Sequence, residues 1–136
     1  MIATPIGNLD DLSPRAAAAL RDAELVACED TRRTATLLRH AGSRAQMIAL
    51  HRHNETRRSA DLMRRIADGS SLVLVSDAGM PAISDPGARL IAAAHEAGVA
   101  VSVVPGPSAV GTAVAASGLA VDAFMFVGFL ARTDDG

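Results

Sequence analysis

Two adjacent carboxylates, Glu29 and Asp30, follow a short apolar run and are themselves followed by Arg32 and Arg33. Neighbouring carboxylates at the end of a buried segment are costly to desolvate, so their charge needs compensation. Either the arginines or a bound substrate can supply it. We therefore interpret residues 29–33 as a part of the chain suited to binding a polar substrate.

Other polar residues could carry chemistry, but each also has a structural explanation. His51 and His53 lie two positions apart, so on an extended segment their rings face the same way. They could bind a metal, contact phosphate or hydrogen-bond at a strand end. Asp77 and Asp85 could also hold a metal, although Asp85 is explained as a helix cap, and we expect no metal site. Ser108 lacks the second glycine of a nucleophile elbow and is interpreted as a helix cap or ligand donor.

The most unusual stretch is the loop of residues 76–87, which lies between an apolar run and an alanine-rich helical pattern. Gly79 allows backbone angles that are closed to other residues, while Pro81 and Pro86 fix others. Such a loop is suited to a ligand rather than to packing. The chain has neither the glycine fingerprint of dinucleotide sites nor a lysine phosphate loop. We expect residues 84–86, Ser-Asp-Pro, to cap and begin the next helix.

Short apolar runs alternate with longer helical patterns, which predicts an α/β fold with an open, mostly parallel sheet and helices on both faces. The expected strands are residues 2–3, 25–28, 47–50, 72–75, 99–104 and 124–127. The expected helices cover about residues 14–23, 33–40, 55–69, 87–97 and 108–117, with caps at Ser13, Asn54 and Ser108. The loops 4–9, 29–33, 51–55, 76–87 and 105–109 then share the carboxyl edge of the sheet, where such folds bind ligands.

The composition is that of an ordinary globular domain. With 136 residues, of which 49% are hydrophobic and 21% charged, the chain can bury one core. Its apolar runs are too short for a membrane span and no signal pattern is present, so we expect a cytoplasmic protein with no membrane partner. Cys28 is the single cysteine, which excludes an internal disulfide. All thirteen basic residues are arginine, which indicates either a coding bias or a phosphate-contacting surface.

The last segment of the chain differs from the rest. Every Phe of the chain lies there, and residues 124–127 predict a strand that is apolar on both faces. We expect residues 1–123 to form an N-terminal α/β domain. Residues 124–136 are expected to form a linker and the first strand towards a second domain that this chain lacks.

Residues 76–87, Ser-Asp-Ala-Gly-Met-Pro-Ala-Ile-Ser-Asp-Pro-Gly, resemble the signature of the bacterial small-subunit ribosomal RNA 2′-O-ribose methyltransferase I family, within the tetrapyrrole methylase superfamily. The resemblance covers essentially the whole chain. Met80 and Ala82 depart from the Thr and Gly that many relatives carry. Four further stretches agree in order and spacing: residues 3–9, 28–32, 53–55 and 105–109.

The resemblance implies a cytoplasmic homodimer that transfers a methyl group from S-adenosylmethionine to the ribose 2′-hydroxyl of a cytidine in 16S ribosomal RNA of the small subunit. It also implies two α/β domains with the donor between them, of which this chain is the first. Carried over by position, the cofactor wall consists of Pro5, Ser76, Asp77, Ala78, Gly79, Ala82, Ile83, Ser108 and Ala109.

A ribose hydroxyl is a weak acid, so a base that accepts its proton would help the reaction. On the matching motifs, the candidate bases are Glu29, Asp30 and His53. The residues expected to hold RNA phosphate or ribose are Arg32, Arg33 and Asn54.

Two other interpretations stay open. The chain could belong to a methylase that acts on a corrin or porphyrin precursor, or it could be an inactive fragment or dimerisation module. The arginine pairs and residues 29–32 favour RNA. Because half of the cofactor cleft would be missing, we expect the isolated chain neither to methylate RNA nor to bind the donor tightly.

Overall fold

The computed structural model describes residues 1–119 and 122–130, and its centre is a parallel sheet of three strands. Strand β1 (Leu25–Cys28) lies between β2 (Gln46–Ala49) and β3 (Leu72–Leu74) and pairs in parallel with both. All four residues of β1 are buried, as expected for a central strand covered on both faces. The carboxyl ends of the three strands therefore meet at one edge.

Beyond β3, two short extended segments continue the sheet. The backbone N–H of Ile2 donates to the carbonyl of Leu74 at 3.0 Å, and Ile2 also forms a parallel bridge with Val104. The predicted first strand is thus present as a single bridged position. This pairing brings the start of the chain beside the end of β3.

Five α-helices surround the sheet within the described residues. They are α1 (Pro14–Asp22), α2 (Thr31–Ala41), α3 (Glu55–Ala67), α4 (Ala88–Glu96) and α5 (Ala109–Ala116), and a 3-10 turn covers Leu9–Asp11. None of the helices in residues 1–119 and 122–130 is long and apolar enough to cross a membrane.

The core has two parts, one on each face of the sheet. Leu20 of α1 and Leu37 of α2 pack with Val26 on one face. Leu62 of α3 and Leu90 of α4 belong to the cluster on the other face. Each fully buried side chain of this size contributes about 1.5–3 kcal/mol. The predicted α/β class with helices on both faces is confirmed.

Three α-helices begin with a cap from the side chain of the residue that precedes them. The hydroxyls of Ser13 and Ser108 accept backbone N–H bonds in the first turns of α1 and α5, at 3.1 and 3.2 Å. The carboxylate of Asp30 accepts from the backbone N–H of Arg32 at 2.8 Å and so caps α2. The predicted caps at Ser13 and Ser108 are confirmed, whereas the cap at Asp30 was not predicted.

Two other predicted caps are wrong. Helix α4 begins at Ala88 after Gly87, so residues 84–86 belong to the loop and do not cap it. Asn54 does precede α3, but its side chain makes no capping bond because it binds the neighbouring turn. The Asn54 amide is occupied by another contact, and Ser84 adopts a left-handed backbone that does not lead into a helix.

Two predicted strands are also wrong. Residues 99–104 form only a single bridge at Val104, next to which the Ser102 carbonyl accepts from the Met1 amino group at 2.7 Å. Residues 124–127 are irregular in the described segment 122–130. They are exposed, with Met125 at 85% and Phe126 at 47%. A strand needs a neighbour for its backbone hydrogen bonds, and no described residue provides one there. The predicted linker 124–136 extends outside the described residues and stays a prediction.

Candidate cofactor and substrate site

Backbone hydrogen bonds join the loop of residues 76–87 to the beginning of the chain. Thr4 and Gly79 exchange both N–H···O bonds, at 2.9 and 3.0 Å. The buried Thr4 hydroxyl also donates to the carbonyl of Ser76 at 3.1 Å. Because Pro5 follows Thr4 directly, the structure brings Pro5, Ser76 and Gly79 of the predicted cofactor wall together.

The side chain of Asp77 joins the same loop to the one after β1. Its Oδ1 accepts from the backbone N–H of Asp30 at 3.1 Å, and its Oδ2 lies 3.6 Å from Nη1 of Arg33. The acidic pair and the predicted cofactor wall are therefore neighbours. They approach because both loops leave the same edge of the parallel sheet.

The middle of the loop has an unusual backbone. Ala82 and Ser84 have φ angles of 68° and 60°, in the left-handed region that costs a residue with a Cβ about 1 kcal/mol or more. This φ explains why glycine suits the position of Ala82, where the sequence departs from the expected motif. The Arg52 guanidinium donates to the carbonyl of Ser84 at 2.8 Å and holds this part in place. Ile83, between them, is 53% exposed and is available to a ligand.

The end of the loop is fixed by Glu55, a residue to which we assigned no role from the sequence. Its carboxylate is buried, and Oε1 accepts from the backbone N–H of Gly87 at 2.8 Å and of Arg89 at 3.0 Å. Glu55 thus caps α4 from the first turn of α3. The only signal for this residue was its place in the matching stretch 53–55, because its partners lie more than thirty positions along the chain.

Residues 105–109 lie against the start of the chain. A Cβ at Gly106 would be 3.2 Å from the Cβ of Ala3, which is closer than most Cβ contacts, so glycine eases this approach. A Cβ at Gly79 would be 3.7 Å from the carbonyl oxygen of Pro107, so the loop 105–109 also borders the loop 76–87. Together with the links at Asp77, Arg52 and Glu55, these contacts bring all five predicted loops to one edge.

The pKa values of the two carboxylates in the acidic pair shift in opposite directions. Burial raises the pKa of Glu29, and the charges of Asp77 and Asp85 raise it further, while Arg52 and Arg33 oppose the shift. Hydrogen bonds from Arg32 lower the pKa of Asp30. Glu29 therefore holds a proton more readily than its neighbour.

The predicted metal alternative has a poor geometric basis in the described residues. Burial raises the pKa of Asp85, and the charge of Asp77 adds to that rise. No group of three or more His, Cys, Asp and Glu side chains suited to a metal occurs in the part of the chain that the structure describes.

The turn after β2 places the two histidines near each other. The Asn54 side chain accepts from the backbone N–H of His51 at 2.9 Å and donates to the carbonyl of Ala49 at 3.1 Å. The rings of His51 and His53 lie 6.1 Å apart, edge to face. His53 is exposed, whereas the amide of Asn54 is already engaged in holding the turn.

A cleft of about 300 Å³ opens beside Asp77. Its lining residues are Thr4, Pro5, Leu9, Arg33, Thr34, Thr36, Leu37, Ser76 and Asp77. The sequence predicted Pro5, Ser76 and Asp77 as cofactor residues but missed the wall that α2 provides. Nothing in the sequence indicated this wall, because Thr34 and Leu37 belong to no functional motif and are typical of helix positions. The other predicted wall residues lie outside the lining: Ala78, Gly79, Ala82, Ile83, Ser108 and Ala109.

Comparison with known families decides the class of protein. The profile of the family described as tetrapyrrole (corrin/porphyrin) methylases matches residues 1–136. The chain belongs to this family. The superfamily resemblance stated from residues 76–87 and the four shorter stretches is thereby confirmed.

Curated relatives of this methylase chain are about twice as long. It is 52% identical over 130 residues to ribosomal RNA small subunit methyltransferase I of Xylella fastidiosa, covering 96% of this chain and 48% of the relative. It is 46% identical over 132 residues to the protein of the same name from Halalkalibacterium halodurans, covering 97% and 46%. The chain spans about half the length of the curated relatives it matches.

Solved structures agree with the methylase fold. A uroporphyrin-III C-methyltransferase from Thermus thermophilus superposes with a TM-score of 0.62 at 25% identity, covering 84% of this chain and 49% of that one. A cobalamin synthesis related protein from Corynebacterium diphtheriae superposes with a TM-score of 0.55 at 20% identity, covering 99% and 60%. The second likeness shows the fold alone.

Proposed function

We propose that this chain is the amino-terminal half of an S-adenosylmethionine-dependent methyltransferase that acts on the ribose 2′-hydroxyl of a cytidine in 16S ribosomal RNA. The observation that carries the proposal is the match of at least 96% of the chain to two proteins named ribosomal RNA small subunit methyltransferase I. The convergence of the five loops that carry the matching motifs supports it.

The described residues fit a donor of this kind. A molecule with an adenosine half and an amino-acid half needs apolar walls together with backbone donors and acceptors. Leu37 and Pro5 offer apolar surface in the cleft, and Ser76 and Asp77 line the same cleft with polar groups. When bound, the donor supplies a methyl group attached to a positively charged sulfur. The proposed holding residues are Pro5, Ser76, Asp77, Ala78, Gly79, Ala82, Ile83, Ser108 and Ala109.

Among the three candidate bases, we assign the proton-accepting role to Glu29. A base is most effective when its pKa lies close to the working pH, and the pKa of Glu29 is raised by burial and by two neighbouring carboxylates. The pKa of Asp30 is lowered by Arg32, which makes it the weaker base. His53 remains the alternative, since it is exposed beside the same edge.

Contact with RNA is proposed for Arg32 and Arg33. Their side chains are 91% and 70% exposed, and each pairs with one carboxylate while other N–H donors face solvent. A guanidinium group of this kind can bind phosphate bidentately. Asn54 contributes by holding the turn that carries His53.

The rest of the proposed enzyme completes the site. Because the chain spans about half of its relatives, we propose that a second domain forms the other wall of the donor cleft. We further propose a homodimer that works in the cytoplasm, where small ribosomal subunits are available.

Transfer of tritium from labelled S-adenosylmethionine tests the proposal. The full-length enzyme should label small subunits from cells that lack the modification, and the 136-residue chain should not. A porphyrin precursor should be assayed in parallel as an alternative substrate, because the chain is similar to a uroporphyrin-III C-methyltransferase. Labelling of that precursor, with none of the RNA, would establish the alternative.

A further inference from the structure

The outer face of α3 carries a groove of about 290 Å³, which we call the arginine groove. It is lined by Arg57, Arg58, Ala60, Asp61 and Arg64. Residues seven positions apart lie on the same helix face, and a rise of 1.5 Å per residue puts Arg57 and Arg64 about 10 Å apart along it. The groove therefore presents a row of guanidinium groups rather than a single one.

Positive charge dominates this face. Helix α3 contains four arginines and only two acids, and one of the acids, Glu55, is buried in the cap of α4. The other, Asp61, is shared by two arginines: it lies 2.7 Å from Arg64 and 4.0 Å from Arg58. Arg57 makes no ion pair with any described residue. The groove thus has more charged donors than it has acceptors.

A second observation indicates that an anion belongs here. The Nε–H of Arg58 is buried and has no hydrogen-bond partner among the described residues. A buried donor left without a partner is unfavourable, so native structures rarely keep one. Because this atom has almost no accessible surface, a phosphate oxygen in the groove would accept from it once the Arg58 side chain turns towards the groove. The side chain of Arg58 is 39% exposed, so a ligand can reach its guanidinium group.

The groove also continues from the candidate site. Glu55, the first residue of α3, binds the backbone of Gly87 at the end of the loop 76–87. Arg57 lies in that same first turn, and Arg64 lies two turns farther from the sheet edge. A strand of RNA whose ribose lies at the edge could therefore extend along α3.

We propose that the arginine groove binds backbone phosphates of the RNA that flanks the methylated nucleotide. Arginine binds phosphate bidentately, and contacts of this kind position a nucleic acid without reading its sequence. This inference rests on the proposed function, because it takes ribosomal RNA as the substrate. It adds a docking surface that lies apart from Arg32 and Arg33.

Salt-dependent binding of a fluorescein-labelled 20-nucleotide single-stranded RNA to this chain tests the inference. The variant R57Q/R58Q/R64Q removes the charges of the groove. The matched control R15Q/R39Q/R44Q removes three exposed arginines that lie elsewhere. Three lost phosphate contacts should make the plot of log affinity against log salt less steep by about 2, and the control should leave it unchanged. Equal slopes for the groove variant and the control would overturn the proposal.

A second variant shows whether misfolding explains a change in slope. R57Q/R64Q keeps the partly buried Arg58 and should reduce the slope by about 1.4 at an unchanged melting temperature. In the full-length enzyme, the triple variant should raise KM for RNA by about tenfold without changing KM for the methyl donor or kcat at saturating RNA.

The two proposals fail separately. A wild-type enzyme that methylates RNA, with a triple variant of normal KM, would refute the groove alone. A wild-type enzyme that does not methylate RNA, with groove-dependent RNA binding by this chain, would refute the proposed function and leave the groove as an RNA-binding surface.

Discussion

Asp77 accepts a hydrogen bond from the backbone N–H of Asp30 at 3.1 Å, which fixes the loop after β3 to the loop after β1. The same carboxylate lies 3.6 Å from Arg33, and its charge contributes to the raised pKa of Glu29. One side chain therefore links the geometry of the candidate site to the protonation of its proposed base.

The substitution Asp77→Asn should separate these two effects. Asparagine keeps the Oδ1 acceptor for Asp30 but removes a negative charge near Glu29, and it frees the charge of Arg33. Both changes lower the pKa of Glu29. In the full-length enzyme, the acid limb of the pH profile of methyl transfer should move to lower pH. An acid limb that stays in place would argue against Glu29 as the titrating base.

The substitution Glu29→Gln should lower turnover by about a hundredfold, because it removes the proposed base. It should also change stability in a direction set by the raised pKa. Below the ordinary range of glutamate both states are protonated, so the variant and wild type should match. Above the raised native pKa, the ionised side chain destabilises the folded state, and the variant should be the more stable protein. Chemical denaturation at several pH values measures this, and a variant that is less stable at neutral pH would contradict it.

Asp30→Ala removes the cap of α2 and should lower the melting temperature, with lower turnover and nearly unchanged affinity for the methyl donor. Asp30→Asn is the matched control, because asparagine caps helices well but has no charge. Asparagine should restore the melting temperature, and turnover should recover with it if Asp30 acts through the cap. A fully active alanine variant would show that methyl transfer needs neither the cap nor the negative charge of Asp30.

Glu55→Ala leaves the backbone N–H groups of Gly87 and Arg89 without their acceptor and should destabilise the protein by about 2–3 kcal/mol. Because the end of the loop 76–87 is then released, donor affinity of the full-length enzyme should fall as well. Glu55→Gln keeps an acceptor oxygen and should recover most of both losses. Calorimetry measures both quantities, and an alanine variant with normal donor affinity would refute the positioning role.

Gly87→Ala tests the packing beneath the same loop. Gly87 has φ 124°, and a Cβ there would lie 2.7 Å from Cδ2 of Leu74. The expected cost is about 3 kcal/mol, from the strained backbone and the overpacked core together. At Gly98, with φ 69° and no atom within 4 Å, alanine carries only the backbone cost of about 1 kcal/mol. Equal melting temperatures for the two variants would show that Leu74 moves freely.

The parts of the fold that follow local patterns could be predicted from the sequence. The apolar run of β1 and the capped starts of α1 and α5 depend on neighbouring residues, and all three are confirmed. The convergence of the loops could also be predicted, because neighbouring parallel strands end at the same edge of the sheet.

Features that depend on distant partners could not be predicted. Glu55 caps a helix that begins more than thirty residues later, and the extent of pairing in residues 99–104 depends on the short segment at the start of the chain. The cap pattern at residues 84–86 failed because Ser84 adopts a left-handed backbone within the loop. The opposite pKa shifts of Glu29 and Asp30 depend on burial and surrounding charges, which cannot be inferred from the spacing of residues in the sequence.

The loops at the sheet edge, as we propose, belong to a ribose methyltransferase. Small subunits that lack the modification are treated with full-length enzyme and S-adenosylmethionine, and their 16S RNA is digested to nucleosides for mass spectrometry. We predict 2′-O-methylcytidine as the single new nucleoside, and its much slower formation with Glu29→Gln. A methyl group on a base, or no methylated nucleoside, would contradict it.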